Sequence, residues 1–409
     1  MSKKTNVVVG LDIGTHKICA VVGEQTEQGP EVVGVGIHPS RGLRKGVVIN
    51  VEATMEGIKK AVEEAEIMAG CEINTVFAGI AGGHIRGFNS HGVVAVKNNE
   101  VTDADVDRVI DAAKAVAIPM DREVLHVLPQ EFALDGQGGI VEPRGMAGVR
   151  LEASVHVVTG AVAAAQNVIK CCNRTGLNVA DFVLEPLASA DATLTQEEKE
   201  VGVALVDMGG GTTDIALFHG GSVKHTAVLS VGGNHLTSDI AAGLHAPMAA
   251  AEQLKQRYGC VETDLANRNE TLEVPSVGGR SPRSVSRQIL CEIIEPRLEE
   301  VFNLVQREIG KSGYEDHLVS GIVMTGGCTL LPGIIDMAER IFDVPVRQGV
   351  PVNVTGLVDV VSSPVYATGT GLLLFGLRQQ DRSLFRIRDN EHLFYKVRGR
   401  MTEWFKEFF

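Results

Sequence analysis

The amino-acid sequence predicts an α/β fold with two similar domains that face one another. Two observations support this prediction. A pattern of buried strand, glycine turn and second apolar strand occurs twice, in residues 7–22 and 203–218. Around both copies, apolar strands alternate with amphipathic helices, which is typical of α/β domains. Each domain is therefore expected to present one turn to the ligand between them.

In the second copy, a carboxylate at the end of a strand is followed by a turn of three glycines and two hydroxyls. These residues are Asp207, Gly209, Gly210, Gly211, Thr212 and Thr213. Consecutive glycines let backbone N–H groups approach an anion closely, because no Cβ atom intervenes. A carboxylate beside such a turn suits a hydrated Mg²⁺ ion. This segment predicts a hairpin that binds a metal-phosphate group, and a plain glycine-rich hairpin is the alternative for it alone.

The first copy repeats the arrangement almost two hundred residues earlier. Asp12 ends an apolar strand, and Gly14, Thr15 and Lys17 follow before another apolar strand begins. Two such turns favour a shared nucleotide over two unrelated hairpins. The chain has no Gly-x-x-x-x-Gly-Lys-Ser/Thr loop. Neither turn is a dinucleotide fingerprint, since each leads into a strand and not into a helix.

Composition narrows the function further. The 409 residues are enough for about two to four domains. The net charge of −13 argues against a nucleic-acid-binding protein, which would carry a basic face. The seven cysteines show no zinc-ligand spacing, and without a secretory signal we expect free thiols in a reducing cytoplasm. No apolar run approaches the ~20 residues of a transmembrane helix.

The first half of the chain is predicted to contain an α/β domain with an insertion. Helices are expected at residues 52–69, 103–116 and 161–175, and strands at 31–37, 76–81, 93–96, 123–129, 154–158 and 179–184. Residues 85–159 differ from their surroundings in having short strands, many charges and loops. We predict a small β-α-β-β subdomain there that serves as a surface for partners. A glycine-rich loop at 135–148 and a charged turn at 197–200 complete this half.

Glu185 begins the helix that follows the strand at 179–184. A carboxylate at the mouth of the cleft could activate a water molecule near a γ-phosphate. The equally weighted alternative is a helix N-terminal carboxylate that interacts with the helix dipole.

The second half carries candidate sites for the sugar and the base. Helices are expected at residues 234–244, 248–258, 288–312, 334–341 and 364–377, with a strand at 319–324 and a loop or edge at 274–287. Glu252 and Lys255 share one helical face and could bracket a ribose, or form a solvated ion pair. Gly326 and Gly327 follow the buried strand and allow a flat ligand such as a purine to approach closely.

The C-terminal segment combines a charged linker with an aromatic helical face. Residues 378–396 are charged and lack apolar periodicity, which predicts a flexible linker. Beyond it, the apolar residues are Met401, Trp404, Phe405, Phe408 and Phe409, and the flanking cations are Arg398, Arg400 and Lys406. The first four apolar residues fall on one side of a helix, which favours a helix in a membrane interface. The alternative is a terminal helix that docks on its own domain.

Five segments of the chain resemble the nucleotide-binding motifs of the actin/Hsp70/sugar-kinase superfamily. They begin at Asp12, Glu185, Asp207, Thr325 and Ala367. Further stretches narrow the resemblance to the FtsA family of bacterial cell division proteins, over nearly the whole chain. These stretches are Pro39-Ser-Arg-Gly, His126-Val-Leu-Pro-Gln-Glu, Pro275-Ser-Val-Gly-Gly-Arg, Ile294-Glu-Pro-Arg and the aromatic C-terminus.

The resemblance implies an ATP-binding protein that forms filaments with itself on the cytoplasmic face of the inner membrane at the division site. It also implies that the protein attaches FtsZ filaments to anionic lipids and recruits FtsN and other division proteins, with at most slow ATP hydrolysis. By the same resemblance, Gly14, Thr15, Lys17 and residues 209–213 would contact phosphates, Asp12 and Asp207 would hold Mg²⁺ through water, Glu252 and Lys255 would approach the ribose, and Gly326 and Gly327 the adenine. A pilus-assembly-type ATP-binding scaffold and a soluble kinase of the superfamily are the alternatives.

The expected fold is therefore an actin-like ATPase with two duplicated α/β domains, an inserted subdomain and a C-terminal amphipathic helix. The expected regions are 1–84 with 160–200 (first actin-like domain, 1A), 85–159 (inserted subdomain, 1C), 201–230 with 306–377 (second actin-like domain, 2A, with its last helix returning to the core), 231–305 (subdomain 2B), 378–397 (flexible linker) and 398–409 (membrane-targeting helix).

Overall fold

The computed structural model describes residues 7–263, 270–276 and 281–384. The strands are β1 Val8–Ile13, β2 Lys17–Thr26, β3 Gly29–Pro39, β4 Leu43–Arg44, β5 Val47–Val48, β6 Thr75–Ile80, β7 Arg86–Ala95, β8 Arg122–Leu134, β9 Gln137–Ile140, β10 Arg150–Ala161, β11 Asn178–Leu184, β12 Val203–Met208, β13 Thr213–His219, β14 Ser222–Leu229, β15 Thr271–Val274, β16 Arg283–Ser286, β17 Ile322–Thr325, β18 Val346–Gln348 and β19 Thr355–Gly356. The helices are α1 Val51–Ala69, α2 Asp103–Lys114, α3 Val162–Arg174, α4 Glu185–Thr193, α5 Gln196–Val201, α6 Gly233–Gly243, α7 Met248–Tyr258, α8 Arg287–Ser312, α9 Ile334–Phe342, α10 Val358–Val361 and α11 Ala367–Leu384.

The first large sheet has the strand order β11-β6-β1-β2-β3-β19. Strands β1, β2 and β3 form an antiparallel meander, whereas β6 and β11 run parallel to β1. Every residue of β1 is buried, because helices cover both faces of this sheet. Leu11 packs in the cluster that contains Ile58 of α1, and Val8 packs in the cluster that contains Leu373 of α11.

The second large sheet repeats this construction. Its order is β14-β13-β12-β17-β18, with an antiparallel meander of β12, β13 and β14 and with β17 and β18 parallel to β12. Val206 and Met208 face a cluster formed with α6, α8 and α9, while Val203 and Leu205 pack toward α4. The predicted duplication is therefore present, and each glycine turn joins the first two strands of its meander.

The inserted segment forms its own four-stranded sheet, in the order β7-β10-β8-β9, with α2 packed on it. Sequence analysis expected one strand fewer, because residues 137–140 were assigned to a glycine-rich loop. These residues form β9, where Ile140 pairs with Phe132 of β8. A long-range pairing partner made this glycine-rich stretch a strand.

Two helices, α4 and α11, cross between the two large sheets. The crossing is close at Gly371, where an added Cβ would overlap the carbonyl oxygen of Ala188. Sequence analysis placed residues 306–377 in the second domain, and the structure corrects this assignment. β19 and Val361 pack on the first sheet, since Thr355 pairs with Glu31 of β3 and Val361 lies in the cluster that contains Val8 and Leu373. α11 then lies between the two sheets, where Thr368 donates to Asp207 of β12.

Two expected irregular segments are helical. Residues 197–200 belong to α5, because Thr195 and Glu198 form a reciprocal pair of N-terminal hydrogen bonds of 3.2 and 2.8 Å. Helix α11 continues to Leu384, so it occupies the beginning of the predicted linker at 378–397. The rest of that linker and the aromatic face at 398–409 lie outside the described residues and remain predictions. No helix in the described ranges is long and apolar enough to span a membrane.

The expectation that all seven cysteines are free thiols is wrong for one pair. Cys260 and Cys291 form a disulfide, with Cα atoms 5.5 Å apart. Sequence could not indicate it, because the pair joins the region after α7 to α8 through tertiary packing. The remaining five cysteines are free.

Gly371→Ala is expected to lower the free energy of unfolding by about 1–3 kcal/mol, because the new methyl group forces α4 and α11 apart. Urea denaturation followed by circular dichroism measures this change. Gly138→Ala on β9 is the matched control, since nothing lies within 4 Å of its added Cβ. Equal stability of the two variants would show that the crossing tolerates a larger separation.

Candidate functional site

A cleft of about 580 Å³ lies where the two glycine turns meet. The sequence-predicted residues that line it are Asp12, Gly14, Thr15, Lys17, Glu185, Asp207, Gly209, Gly210, Gly211, Thr212, Glu252, Lys255, Gly326 and Gly327. Thr213 is the exception, because its side chain is buried and its hydroxyl donates to the carbonyl of Val231 at 2.9 Å. Two sheets and several helices thus bring one set of distant residues together.

The tips of the two turns are in direct contact. A Cβ added to Gly211 would lie 2.5 Å from Oγ1 of Thr15, and one added to Gly210 would lie 2.8 Å from Cβ of His16. Only glycine therefore allows this approach. Thr15 is itself fixed by the backbone N–H of Gly46, which donates to its hydroxyl at 2.9 Å.

Lys17 is the cation at the floor of the cleft and pairs with Asp12. Burial acts to lower the pKa of Lys17, but the Asp12 carboxylate outweighs it, so that the pKa lies above its usual value. The ammonium group is therefore charged at any physiological pH. It offers a positive charge next to the backbone N–H groups of the first turn.

Asp207 joins the second turn to both crossing helices. Its Oδ2 accepts hydrogen bonds from Ser189 of α4 at 2.6 Å and from Thr368 of α11 at 3.2 Å. Burial raises the pKa of Asp207, although these hydroxyl groups act in the opposite direction. The carboxylate is thus held in place by the two helices that lie between the domains.

Asp214 faces the cleft and was not among the predicted site residues. It is 3% exposed, and its Oδ1 is buried without a hydrogen-bond partner. Burial raises its pKa to about 8, and the nearby Asp207 carboxylate adds to the shift. Its position in β13 is the signal that could have identified it, since neighbouring strand residues point to opposite faces. Thr213 points away from the cleft, and Asp214 points into it.

Glu185, which is half-buried, completes a group of four carboxyl groups in the cleft with the buried Asp12, Asp207 and Asp214. Burial raises the pKa of Glu185 well above its usual value, and the charges of Asp12 and Asp214 raise it further. Such a group attracts a cation, because buried like charges repel one another strongly. No three His, Cys, Asp or Glu side chains in the described ranges form a direct metal-binding group. The water-mediated Mg²⁺ roles of Asp12 and Asp207 stay predictions.

The Glu252 and Lys255 pair is both an ion pair and part of the cleft. Lys255 Nζ donates to Glu252 at 2.8 Å, to Thr237 Oγ1 at 2.9 Å and to the carbonyl of Gly233 at 3.1 Å. These three acceptors match the three hydrogens of an ammonium group. Lys255 therefore positions Glu252, whose other oxygen accepts from Gln256 at 2.8 Å. Contact of either residue with a ribose stays a prediction.

An apolar wall follows Gly326 and Gly327. Its further lining residues, which sequence analysis did not select, are Cys328, Leu330, Leu331, Pro332 and Val365. Cys328 Sγ donates to the carbonyl of Gly209 at 3.3 Å and so connects this wall to the second turn. Gly326 has a φ of +88°, and an added Cβ there would collide with Asp207. The wall and both glycines thus form the apolar side of the cleft.

Other lining residues were also missed by sequence analysis. They are His16, Ile37, His38, Pro39, Asn234, Gln256, Pro364 and Thr368. The segment from Pro39 was quoted for its family resemblance, but the sequence carried no signal that β3 would end at the cleft.

Asp214→Asn is expected to flatten the dependence of stability on pH in the nucleotide-free protein. The folded-state pKa of Asp214, about 8, lies above the ~3.9 of an unfolded Asp, so the folded state binds the extra proton between these values. The free energy of unfolding should therefore fall as pH rises through this window, by up to about 1.4 kcal/mol per pH unit. Urea denaturation from pH 5 to 8 tests this. The exposed Asp359→Asn should keep the wild-type slope, and an unchanged slope in Asp214→Asn would contradict the assignment.

Comparison with protein-family models gives two matches. Residues 204–371 match the model described as "Cell division protein FtsA", and residues 82–159 match "SHS2 domain inserted in FTSA". The second range coincides, within a few residues at each end, with the inserted four-stranded sheet and α2.

Curated relatives agree over most of the chain. A cell division protein FtsA from Pseudomonas aeruginosa is 56% identical over 375 residues, covering 91% of this chain and 90% of the relative. The Escherichia coli K12 protein of that name is 44% identical over 90% of both chains. The one from Borreliella burgdorferi is 42% identical over 99% of both chains.

Solved structures show the same fold at low sequence identity. A type IV pilus biogenesis complex, PilM-PilN, matches with a TM-score of 0.65 at 18% identity, covering 90% of this chain and 98% of the other. MreB5 of Spiroplasma citri bound to ADP matches with a TM-score of 0.57 at 14% identity, covering 94% and 100%. The fold is thus actin-like, and with the family models and the identities above, this chain belongs to the FtsA family of cell division proteins.

Proposed function

We propose that this protein binds ATP and Mg²⁺ in the cleft, forms filaments on the cytoplasmic face of the inner membrane, and attaches FtsZ filaments there. One observation carries the nucleotide part of the proposal. Two glycine turns from separate sheets meet at a cleft that holds four carboxyl groups, three of them buried, and an apolar wall. The family membership carries the role in cell division.

The cleft supplies distinct partners for each part of the nucleotide. Backbone N–H groups of both turns and the Lys17 ammonium group suit the phosphates. Glu252 suits the ribose, and the wall beyond Gly326 and Gly327 suits the adenine. The carboxyl groups would repel bare phosphates, so Mg²⁺ is needed between them, held through water by Asp12 and Asp207. Structures of MreB5 of Spiroplasma citri, which share this fold and hold ADP or AMPPNP, support the proposal.

ATP hydrolysis in this site is expected to be slow at most. A general base must accept a proton, but burial and the nearby Asp12 and Asp214 carboxylates raise the pKa of Glu185 in the nucleotide-free protein and so favour its protonated form. Lys17 already acts to lower that pKa, and a bound Mg²⁺ would lower it further by stabilising the charged form. Water activation by Glu185 therefore depends on a fully loaded site.

The membrane part of the proposal concerns residues 398–409. Burying Met401, Trp404, Phe405 and Phe408 would contribute roughly 1.5–3 kcal/mol per side chain. Ordering a helix of this length costs much of that gain, so one copy binds weakly. Several copies on one filament bind far more tightly through effective concentration. Filament formation and attachment to anionic lipids are therefore proposed to be coupled.

The proposed partners follow from the family. They are FtsZ, further copies of this chain, FtsN with other division proteins, and anionic lipids of the inner membrane at the division site. Nucleic acid is not proposed, because the chain carries a net charge of −13. Identities of 42–56% to FtsA proteins favour this function over the pilus-assembly scaffold and the soluble kinase.

Gly211→Val is expected to weaken ATP binding about tenfold or more, since its side chain would displace Thr15 and fill the space between the turns. Isothermal titration calorimetry with ATP and Mg²⁺ measures the affinity. Gly138→Val, far from any neighbouring atom, should bind like the wild type. Unchanged affinity in Gly211→Val would place the nucleotide elsewhere.

Trp404→Glu is expected to abolish attachment to liposomes that contain anionic lipid. The intact chain should co-sediment with them, and more strongly with ATP, because filaments present many tails at once. Equal pelleting of both proteins would contradict the membrane role and favour the alternative that the terminal segment docks on its own domain. Absence of pelleting in both, together with phosphotransfer activity in solution, would favour a kinase.

A further inference from the structure

The stretch His126-Val-Leu-Pro-Gln-Glu lies on β8 of the inserted sheet, and the proposed function leaves it without a role. His126 is buried, and its Nε2 accepts a hydrogen bond from the backbone N–H of Leu184 at 2.9 Å. Leu184 ends β11 and directly precedes Glu185, which lines the cleft. One end of the stretch is therefore attached to the first-sheet side of the cleft.

Gln130, four residues along the same strand, contacts the second sheet. Its Nε2 donates to the carbonyl oxygens of Val223 and Lys224 at 2.9 and 3.2 Å. Both acceptors belong to β14, which pairs with β13, the strand that carries Asp214. The other end of the stretch is therefore attached to the second-sheet side of the cleft.

A second buried contact reinforces the link to β14. His156 of β10 contacts Thr226 of β14 at 2.8 Å and Asn89 of β7 at 2.6 Å. Burial lowers the pKa of His156 to about 3 and that of His126 to about 4. Both rings are neutral at physiological pH, so these hydrogen bonds do not change with pH in the physiological range.

We propose that His126 and Gln130 are positioning residues that couple the nucleotide cleft to the inserted sheet. The inference rests on the proposed nucleotide binding. A strand advances about 3.3 Å per residue, so the two attachment points on β8, four residues apart, are separated by only about 13 Å of extended backbone. Any rotation of one large sheet against the other must shift the inserted sheet or break one attachment.

The coupling works in both directions. A nucleotide that closes the cleft changes the position of the inserted sheet and thereby the affinity of that sheet for a protein partner. By reciprocity, the bound partner changes the nucleotide affinity by the same factor. The inserted sheet thus reports the state of the cleft to whatever binds its outer surface. Neither His126 nor Gln130 lines the cleft, so both act through Leu184 and β14.

Hydrogen–deuterium exchange of the full chain, with and without ATP and Mg²⁺, tests the coupling. In the wild type, ATP should slow exchange at residues 14–17 and 209–213 and also change exchange in β7 and α2 by about threefold or more. Gln130→Met and His126→Phe conserve approximate volume but remove the hydrogen bonds. Each should keep the effect at the turns and lose it in the inserted sheet. Gln137→Met, on exposed β9 of the same sheet, should behave like the wild type.

The outcomes separate the two claims. Protection at the turns without any change in the wild-type inserted sheet overturns the coupling alone. Persistence of the change in both variants overturns the role of these two residues. No ATP effect anywhere overturns the proposed nucleotide binding and the coupling with it. Thermal unfolding of each variant ensures that folded protein is compared, and the wild-type measurement decides the coupling even if a variant fails to fold.

Discussion

The burial of several carboxyl groups around one ammonium group is the constraint on which the cleft depends. Asp12, Asp207 and Asp214 are buried, Glu185 is half-buried beside them, and Lys17 pairs directly with Asp12. Burying like charges together is costly unless protons or cations neutralise them. The nucleotide-free site is therefore partly protonated and stabilised by Lys17. Binding of a metal-phosphate ligand would supply the missing positive charge and bring anions to the glycine turns at the same time.

The same carboxylates connect chemistry to architecture. Asp207 accepts hydrogen bonds from Ser189 and Thr368, which lie on the two helices that cross between the sheets. Those helices touch at Gly371 with no room for a side chain. Movement of one sheet against the other must therefore alter the environment of a carboxylate in the cleft. The inserted sheet is attached to both sides through β8, which extends this dependence beyond the cleft.

Local sequence was sufficient for the strands that flank the two glycine turns, for the turns themselves and for most helices. The glycine turns were evident because glycine and a strand-terminal Asp have few alternative uses in such a pattern. Sequence analysis missed Asp214 and included Thr213, because the face that each strand residue takes depends on which side is buried. Five further strands, β9, β14, β15, β18 and β19, and the Cys260–Cys291 disulfide were not expected, because they depend on pairing partners that local sequence does not reveal.

What the sequence by itself determined is the repeated strand–turn–strand unit and the residue types that suit phosphate, metal, ribose and base. Only the tertiary structure decided that the two turns touch and that β8 contacts both sides of the cleft. It also decided that Lys255 donates its three hydrogen bonds to protein acceptors. The physical reason is the distance along the chain over which each interaction acts. Backbone preference and hydrophobic periodicity act over a few residues, whereas the charges and hydrogen bonds of the cleft arise between segments that only packing brings together.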